Sequence, residues 1–175
     1  MIKNFNTFIT ESEKYEFGCV MLESPIKNWD NICALIDPND LYIEEGENYG
    51  IQKHPHITLL YGLDKLAKLN EIEKIVSKFK PFEVISTGID FFENDNFDVV
   101  KFSIRKSDEF EKIYDLLSEL PNQNEFPDFS PHITIGYVKK GLGKKYKKVV
   151  NNNLGLLSTI KYSDSSGKDH FFTLK

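Results

Sequence analysis

Arginine is nearly missing from this chain: Arg105 stands alone among 175 residues. An arginine clamp on phosphate groups, which takes several planar guanidinium forks, is therefore all but excluded. Cysteine is scarce as well. Cys19 lies in the apolar run Phe17–Leu22 and Cys33 in a helix-like pattern, and neither has metal-ligand spacing. Both read as reduced core residues, since a buried free thiol behaves as a small hydrophobe. No apolar run approaches the roughly 20 residues that span a bilayer, which excludes a transmembrane helix. Residues 1–8 lack the apolar stretch and small-residue cleavage site of a secretory signal, so a cytoplasmic location is expected. Positive charge is also in deficit, with a net charge of −5 and a pI near 5.4. A protein that grips long nucleic acid wants a broad basic surface, and this chain offers none by composition. A small anionic ligand needs only local positive charge and stays possible.

What is present is an ordinary globular composition, 40% apolar and 28% charged, with length for one domain over residues 1–175. Residues 15–22 read as a buried strand. Ser24-Pro25 opens a helix whose apolar residues Ile26, Trp29, Ile32, Cys33 and Ile36 recur at helical spacing. Strands are expected at 56–61, 82–92, 97–104, 132–138, 154–162 and 170–174, with amphipathic helices over 66–79 and 107–120. Gly62 reads as the end of its strand, and 139–153 as loop and short helix. Alternating strands, helices and hairpins point to an α+β fold with antiparallel or mixed sheets.

The informative feature is a repeat. Pro55-His56-Ile57-Thr58-Leu59-Leu60-Tyr61-Gly62 returns 76 residues later as Pro131-His132-Ile133-Thr134-Ile135-Gly136-Tyr137-Val138. Each copy reads as a strand following a loop, which suggests two lobes about a pseudo-twofold axis with the motifs facing each other. In a strand, residues i and i+2 share a face. His56 and Thr58 then project together, as do His132 and Thr134, while Ile57 and Ile133 point into the core. Two imidazoles supply an acid and a base near neutral pH, and two hydroxyls supply donors to phosphate oxygens. Phosphodiester cleavage needs this set, with a ribose 2′-OH or water as nucleophile and no metal or cofactor. Threonine is 7 of 175 residues, so two His-x-Thr pairs among four histidines seldom arise by chance.

Two His-apolar-Thr strands some 76 residues apart in a small α+β chain resemble the 2H phosphoesterase superfamily. That resemblance implies a bilobal fold of two antiparallel sheets with helices outside. It also implies a metal-free mechanism and catalytic roles for His56, Thr58, His132 and Thr134. The segments 5–12, 14–22 and 55–63 further resemble the anti-CBASS phosphodiesterases of tailed phages, which degrade the cyclic di- and trinucleotide messengers of a bacterial defence system. The expectation is then a monomer that takes a small anionic cyclic oligonucleotide in the host cytoplasm. Other 2H activities, on 2′-5′ oligoadenylates or RNA 2′,3′-cyclic phosphate ends, remain open, as does a module that sequesters a nucleotide without cutting it. Which histidine acts first as base is not readable from a pseudo-symmetric pair.

Supporting residues are less sharply marked. Tyr15 is a candidate for stacking on a nucleobase. Tyr61 and Tyr137 fall on the strand face opposite the histidines if the strands stay regular. Of Phe91 and Phe92, alternation sends one toward the groove. Six lysines at 139, 140, 144, 145, 147 and 148 form either a funnel for an anion or a solvated face. His54-x-His56 is not read as a metal pair, and His170 is read as structural.

Overall fold

The computed structural model describes residues 16–45, 47–126 and 128–175. Tyr15 and the preceding segment lie outside the described residues. The strands are β1 (Gly18–Glu23), β2 (His56–Leu63), β3 (Phe82–Glu93), β4 (Phe97–Ile104), β5 (His132–Lys139), β6 (Lys148–Leu157), β7 (Thr159–Ser163) and β8 (Asp169–Thr173). The helices are α1 (Trp29–Cys33), α2 (Leu69–Val76) and α3 (Asp108–Ser118), with 3₁₀ turns at Pro38–Asp40 and Gly143–Tyr146. All pairings are antiparallel, in the order β6-β3-β4-β5-β2-β1-β7-β8. The fold is α+β, as the alternation of elements implies.

Two four-stranded halves make up the sheet, and an approximate dyad exchanges β2 with β5, β1 with β4, β7 with β3 and β8 with β6. The halves join at one residue pair, Ile57 with Ile133, so the two sheets that the family resemblance implies are continuous with each other. Adjacent strands twist relative to one another, and two strands that meet at one point cross and part. Each freed strand edge is then covered by the loop that precedes the other motif. Residues 41–42 and 50–52 pair with β5 through Tyr42 N–H to Tyr137 O, Tyr137 N–H to Gly50 O and Gln52 N–H to Ile135 O. Residues 121–124 pair with β2 through Gln123 N–H to Gly62 O. Neither central edge is left open to a foreign strand.

The face bearing Ile57 and Ile133 is the core face, where the amphipathic helix α3 packs with Phe110, Ile113 and Leu117, all fully buried. Trp29 and Cys33 of α1 join the same core, and Trp29 Nε1 donates to the carbonyl of Gln52. Three expectations need correction. The helix after Pro25 shrinks to one turn, because Asn28 takes a left-handed conformation (φ 60°) just before it. Gly62 does not end its strand: it continues β2 at φ 93° and lets the backbone of Gln123 approach within the space of a side chain. Finally, much of the 139–153 segment is strand. Its asparagines and lysines suit β6, an edge strand lying on β3, better than they suit a core strand.

Candidate active site

Each motif strand begins at a proline, which holds the residue before it extended and starts the strand at the histidine. The antiparallel pair Ile57–Ile133 then sets the motifs against each other. The next positions along that register place His56 beside Thr134 and Thr58 beside His132. Strand rise and spacing put the two histidine Cα atoms about 8 Å apart on the diagonal, a distance two imidazoles span from either side of a phosphate. The four residues the repeat singles out therefore share one groove on the face opposite the core.

The rings are held alike. His56 Nδ1 donates to the carbonyl of His54 (2.9 Å) and His132 Nδ1 to the carbonyl of Ser130 (2.8 Å). A carbonyl carries no proton, so Nδ1 must, and the lone pair of each neutral ring sits on Nε2. Burial disfavours the imidazolium and pushes both histidines below their usual range, His132 to about 4. The carbonyls oppose that shift. Around His132 the neighbouring Lys101 and His56 add to it; around His56, Lys161 and His54 add to it and Glu23 opposes it.

The two halves differ in what flanks the motifs. Cross-strand from His56 is Glu23, and cross-strand from His132 is Ser103. Thr58 faces Met21, whereas Thr134 faces Lys101. Thr58 also makes a hydrogen-bonding contact with Cys19, whose buried thiol is pushed up to about 12 and stays protonated. Lys161, one strand beyond Met21, is tied to Glu23 (3.6 Å) and Asp169 (3.8 Å).

The tyrosines depart from the regular-strand expectation. Both motif strands carry an extra residue just after the threonine, Leu59 in β2 and Ile135 in β5, where the register with β1 and β4 slips by one. Such a bulge reverses the alternation. Tyr61 and Tyr137 thus return to the histidine face, paired with Cys19 and Val99. Tyr137 closes one end of the groove with Tyr42, Tyr49 and Phe97, whose ring centroids lie 4.9–5.6 Å apart. Of the phenylalanine pair, Phe92 is the one on the groove face. It is 37% exposed and sits edge-on to His132 at 5.0 Å, while Phe91 packs beneath Gly143.

The lysine-rich segment proves largely structural. Lys139 donates to the carbonyl of Asn39, Lys140 to that of Asp95, and Lys145 and Lys147 pair with Asp40 (2.7 Å) and Asp90 (3.3 Å). Tyr146 adds a hydroxyl bond to Asp40. His170 Nε2 meets Asp164 (2.9 Å), whose carboxylate also ties the last hairpin turn, in keeping with a structural role. The carbonyl of His54 accepts from His56 Nδ1. Among the described residues no group of three or more His, Cys, Asp or Glu is placed to hold a metal ion. Also among the described residues, no helix is long and apolar enough to cross a membrane. Lys101, Ser103 and Glu23 escaped the sequence reading, because cross-strand register rather than local pattern brings them to the motifs.

Residues 43–150 match the protein family described as the 2′-5′ RNA ligase superfamily. Among solved structures the chain is similar to Usb1 of Kluyveromyces marxianus, at 10% identity over 92% of this chain and 99% of that one, with a TM-score of 0.60. It is similar to TT0787 of Thermus thermophilus (15% identity, 91% and 95% covered, TM-score 0.54). It is also similar to E. coli LigT in its apo form (14% identity, 93% and 96% covered, TM-score 0.51). At such identities the likeness is one of fold. No curated protein matches the sequence.

Proposed function

The chain belongs to the 2′-5′ RNA ligase superfamily, the 2H phosphoesterases, and is a phosphodiesterase; from that premise we propose that it cleaves the 3′-5′ bonds of cyclic di- and trinucleotide messengers without a metal ion. In this reading it removes the signal of a bacterial antiphage defence. His56, Thr58, His132 and Thr134 are the catalytic residues, and Tyr15 contacts a nucleobase. The observation that carries the chemistry is the common pose of the two imidazoles. Each Nδ1 is committed to a carbonyl two residues back, leaving Nε2 to exchange protons in the groove.

The difference between the two histidines orders the first step in this reading. Burial with Lys101 close by pushes His132 far down, to about 4, whereas around His56 Lys161 adds to the burial shift and Glu23 opposes it, so His132 is taken as the base. His132 Nε2 accepts the proton of a ribose 2′-OH, and O2′ attacks the adjacent 3′-phosphorus. The bond from phosphorus to O5′ breaks, and His56 donates its proton to the departing oxygen. Thr58 and Thr134 donate to the non-bridging oxygens as their charge grows. The products are a 2′,3′-cyclic phosphate and a 5′-hydroxyl. Water can then open the cyclic phosphate with the histidines exchanging roles.

The net charge of −5 supports a small anionic substrate over a long polyanion. Substrate class is tested by a panel in EDTA: 3′,3′-cyclic dinucleotides, a cyclic trinucleotide, 2′-5′ oligoadenylate and an RNA ending in a 2′,3′-cyclic phosphate. Cleavage of the cyclic oligonucleotides is expected. Cleavage of only the linear or end-capped substrates would discard the messenger assignment and keep the chemistry. No cleavage would leave a sequestering module as the better account.

A further inference from the structure

Lysine is seldom buried unless an opposite charge lies against it, because desolvating an ammonium is costly. Lys101 is 5% exposed and sits on β4 in the middle of one half of the sheet. Its neighbours are Thr134 on one side and Asp90 on the other. Asp90 does not neutralise it closely: that carboxylate pairs with Lys147 (3.3 Å) and accepts from the amide of Phe91. Among the described residues, no ion pair within 4.0 Å includes Lys101. Its Nζ instead donates to Ser103 Oγ (3.0 Å) and lies 4.3 Å from the centre of the Phe92 ring. Ser103 is the cross-strand neighbour of His132, and Phe92 touches that histidine edge-on. The ammonium thus leans toward the end of the groove where His132 and Thr134 project.

The fold does not require a lysine there. In the other half, the position facing Thr58 is filled by Met21. The cation of that half, Lys161, lies one strand farther out and is neutralised by Glu23 and Asp169. One side of an otherwise matched site therefore carries a desolvated cation with no carboxylate bound to it, and an anionic ligand would complete it.

We propose that Lys101 is a catalytic residue whose ammonium takes a non-bridging oxygen of the scissile phosphate on the His132–Thr134 side of the groove. This rests on the phosphodiesterase reading. The bond adds a full positive charge to the two threonine hydroxyls as negative charge accumulates on phosphorus. The charge also makes the halves unequal, holding the phosphate against the histidine that accepts the first proton.

The test compares wild type, Lys101→Met, Lys101→Arg and Lys161→Met in two assays. Binding of inorganic phosphate, followed through the histidine NMR signals, reads the site without any turnover. Phosphate affinity is expected to fall about tenfold or more in Lys101→Met, the loss of one charge-assisted contact, and less than about threefold in Lys161→Met. In turnover of whichever panel substrate is cleaved, kcat is expected to fall about 10² to 10³-fold in Lys101→Met, with KM changing less. Lys101→Arg is expected to recover part of both losses. The melting temperature of Lys101→Met should equal or exceed that of wild type, since an unbranched apolar side chain replaces a buried charge. Unchanged phosphate affinity in Lys101→Met, or a wild type that binds no phosphate, would overturn the proposal. So would an activity loss that only tracks unfolding. A wild type that binds phosphate yet cleaves nothing defeats the phosphodiesterase reading alone, and the binding comparison still decides the role of Lys101 as a phosphate ligand.

Discussion

Ile57 and Ile133 face each other, fully buried, across the pair that joins β2 to β5, one residue beyond His56 and His132. The contact fixes the register between the two halves of the sheet and hence the relation of the two imidazoles. Truncating either side chain removes apolar packing directly beneath the groove. Ile57→Ala and Ile133→Ala are each expected to lower stability by about 2–5 kcal/mol in urea unfolding. They should also reduce kcat at temperatures where the variants stay folded. An equivalent loss of stability with full kcat would show that the register survives without the contact.

Activity should have an acidic optimum. His132 must be neutral to accept the first proton, and its value near 4 places the lower limb of kcat/KM there. His56 must be protonated to donate, and burial holds it below 6.5, so the upper limb also lies below 6.5. Because the two histidines lie close enough to influence each other, the limbs belong to the pair. The expected bell for kcat/KM, which reports the free enzyme, peaks between these limbs and falls about tenfold per pH unit above them. A pH–rate profile with its maximum at alkaline pH would contradict the assignment.

The same shifts act on stability. A histidine kept neutral in the folded protein binds fewer protons there than in the unfolded chain at pH values between 6.5 and about 4. Stability therefore falls as pH drops through that window and levels off below it. His132→Asn keeps an amide donor at the δ position for the Ser130 carbonyl but does not titrate. Urea unfolding of this variant is expected to show a smaller loss between neutral pH and pH 4 than wild type. Equal losses would mean that His132 titrates normally in the folded state.

The heart of the site was legible because it is written locally. His56-Ile57-Thr58 and His132-Ile133-Thr134 each announce a strand with two polar residues on one face, and their repetition announces two facing strands. The helix carrying Phe110, Ile113 and Leu117 was legible for the same reason, its helical period being unbroken, and the hairpin Phe82–Ile104 was legible from two β-rich runs about the polar turn 93–96. What escaped is set by contacts between distant segments. The bulges at Leu59 and Ile135 depend on the neighbouring strands β1 and β4, so nothing in either octapeptide marks the return of Tyr61 and Tyr137 to the groove. Lys101 sits in the apolar run Val99-Val100-Lys101-Phe102, and its nearness to Thr134 exists only once β4 and β5 pair. The lysines after Val138 read equally as a funnel for an anion or a solvated face, because the partners that engage them, Asn39, Asp40, Asp90 and Asp95, are far away in sequence.

The most direct measurement of the central claim is single-turnover cleavage of a 3′,3′-cyclic dinucleotide in EDTA by wild type, His56→Ala and His132→Ala, with the matching deoxy substrate alongside. The two-histidine account expects wild type to release a 2′,3′-cyclic phosphate with the chelator present. Each variant should lose about 10² to 10⁴-fold in rate while remaining folded, and the deoxy substrate should stay intact. Retained activity in either variant, or rapid cleavage of the deoxy substrate, would contradict it.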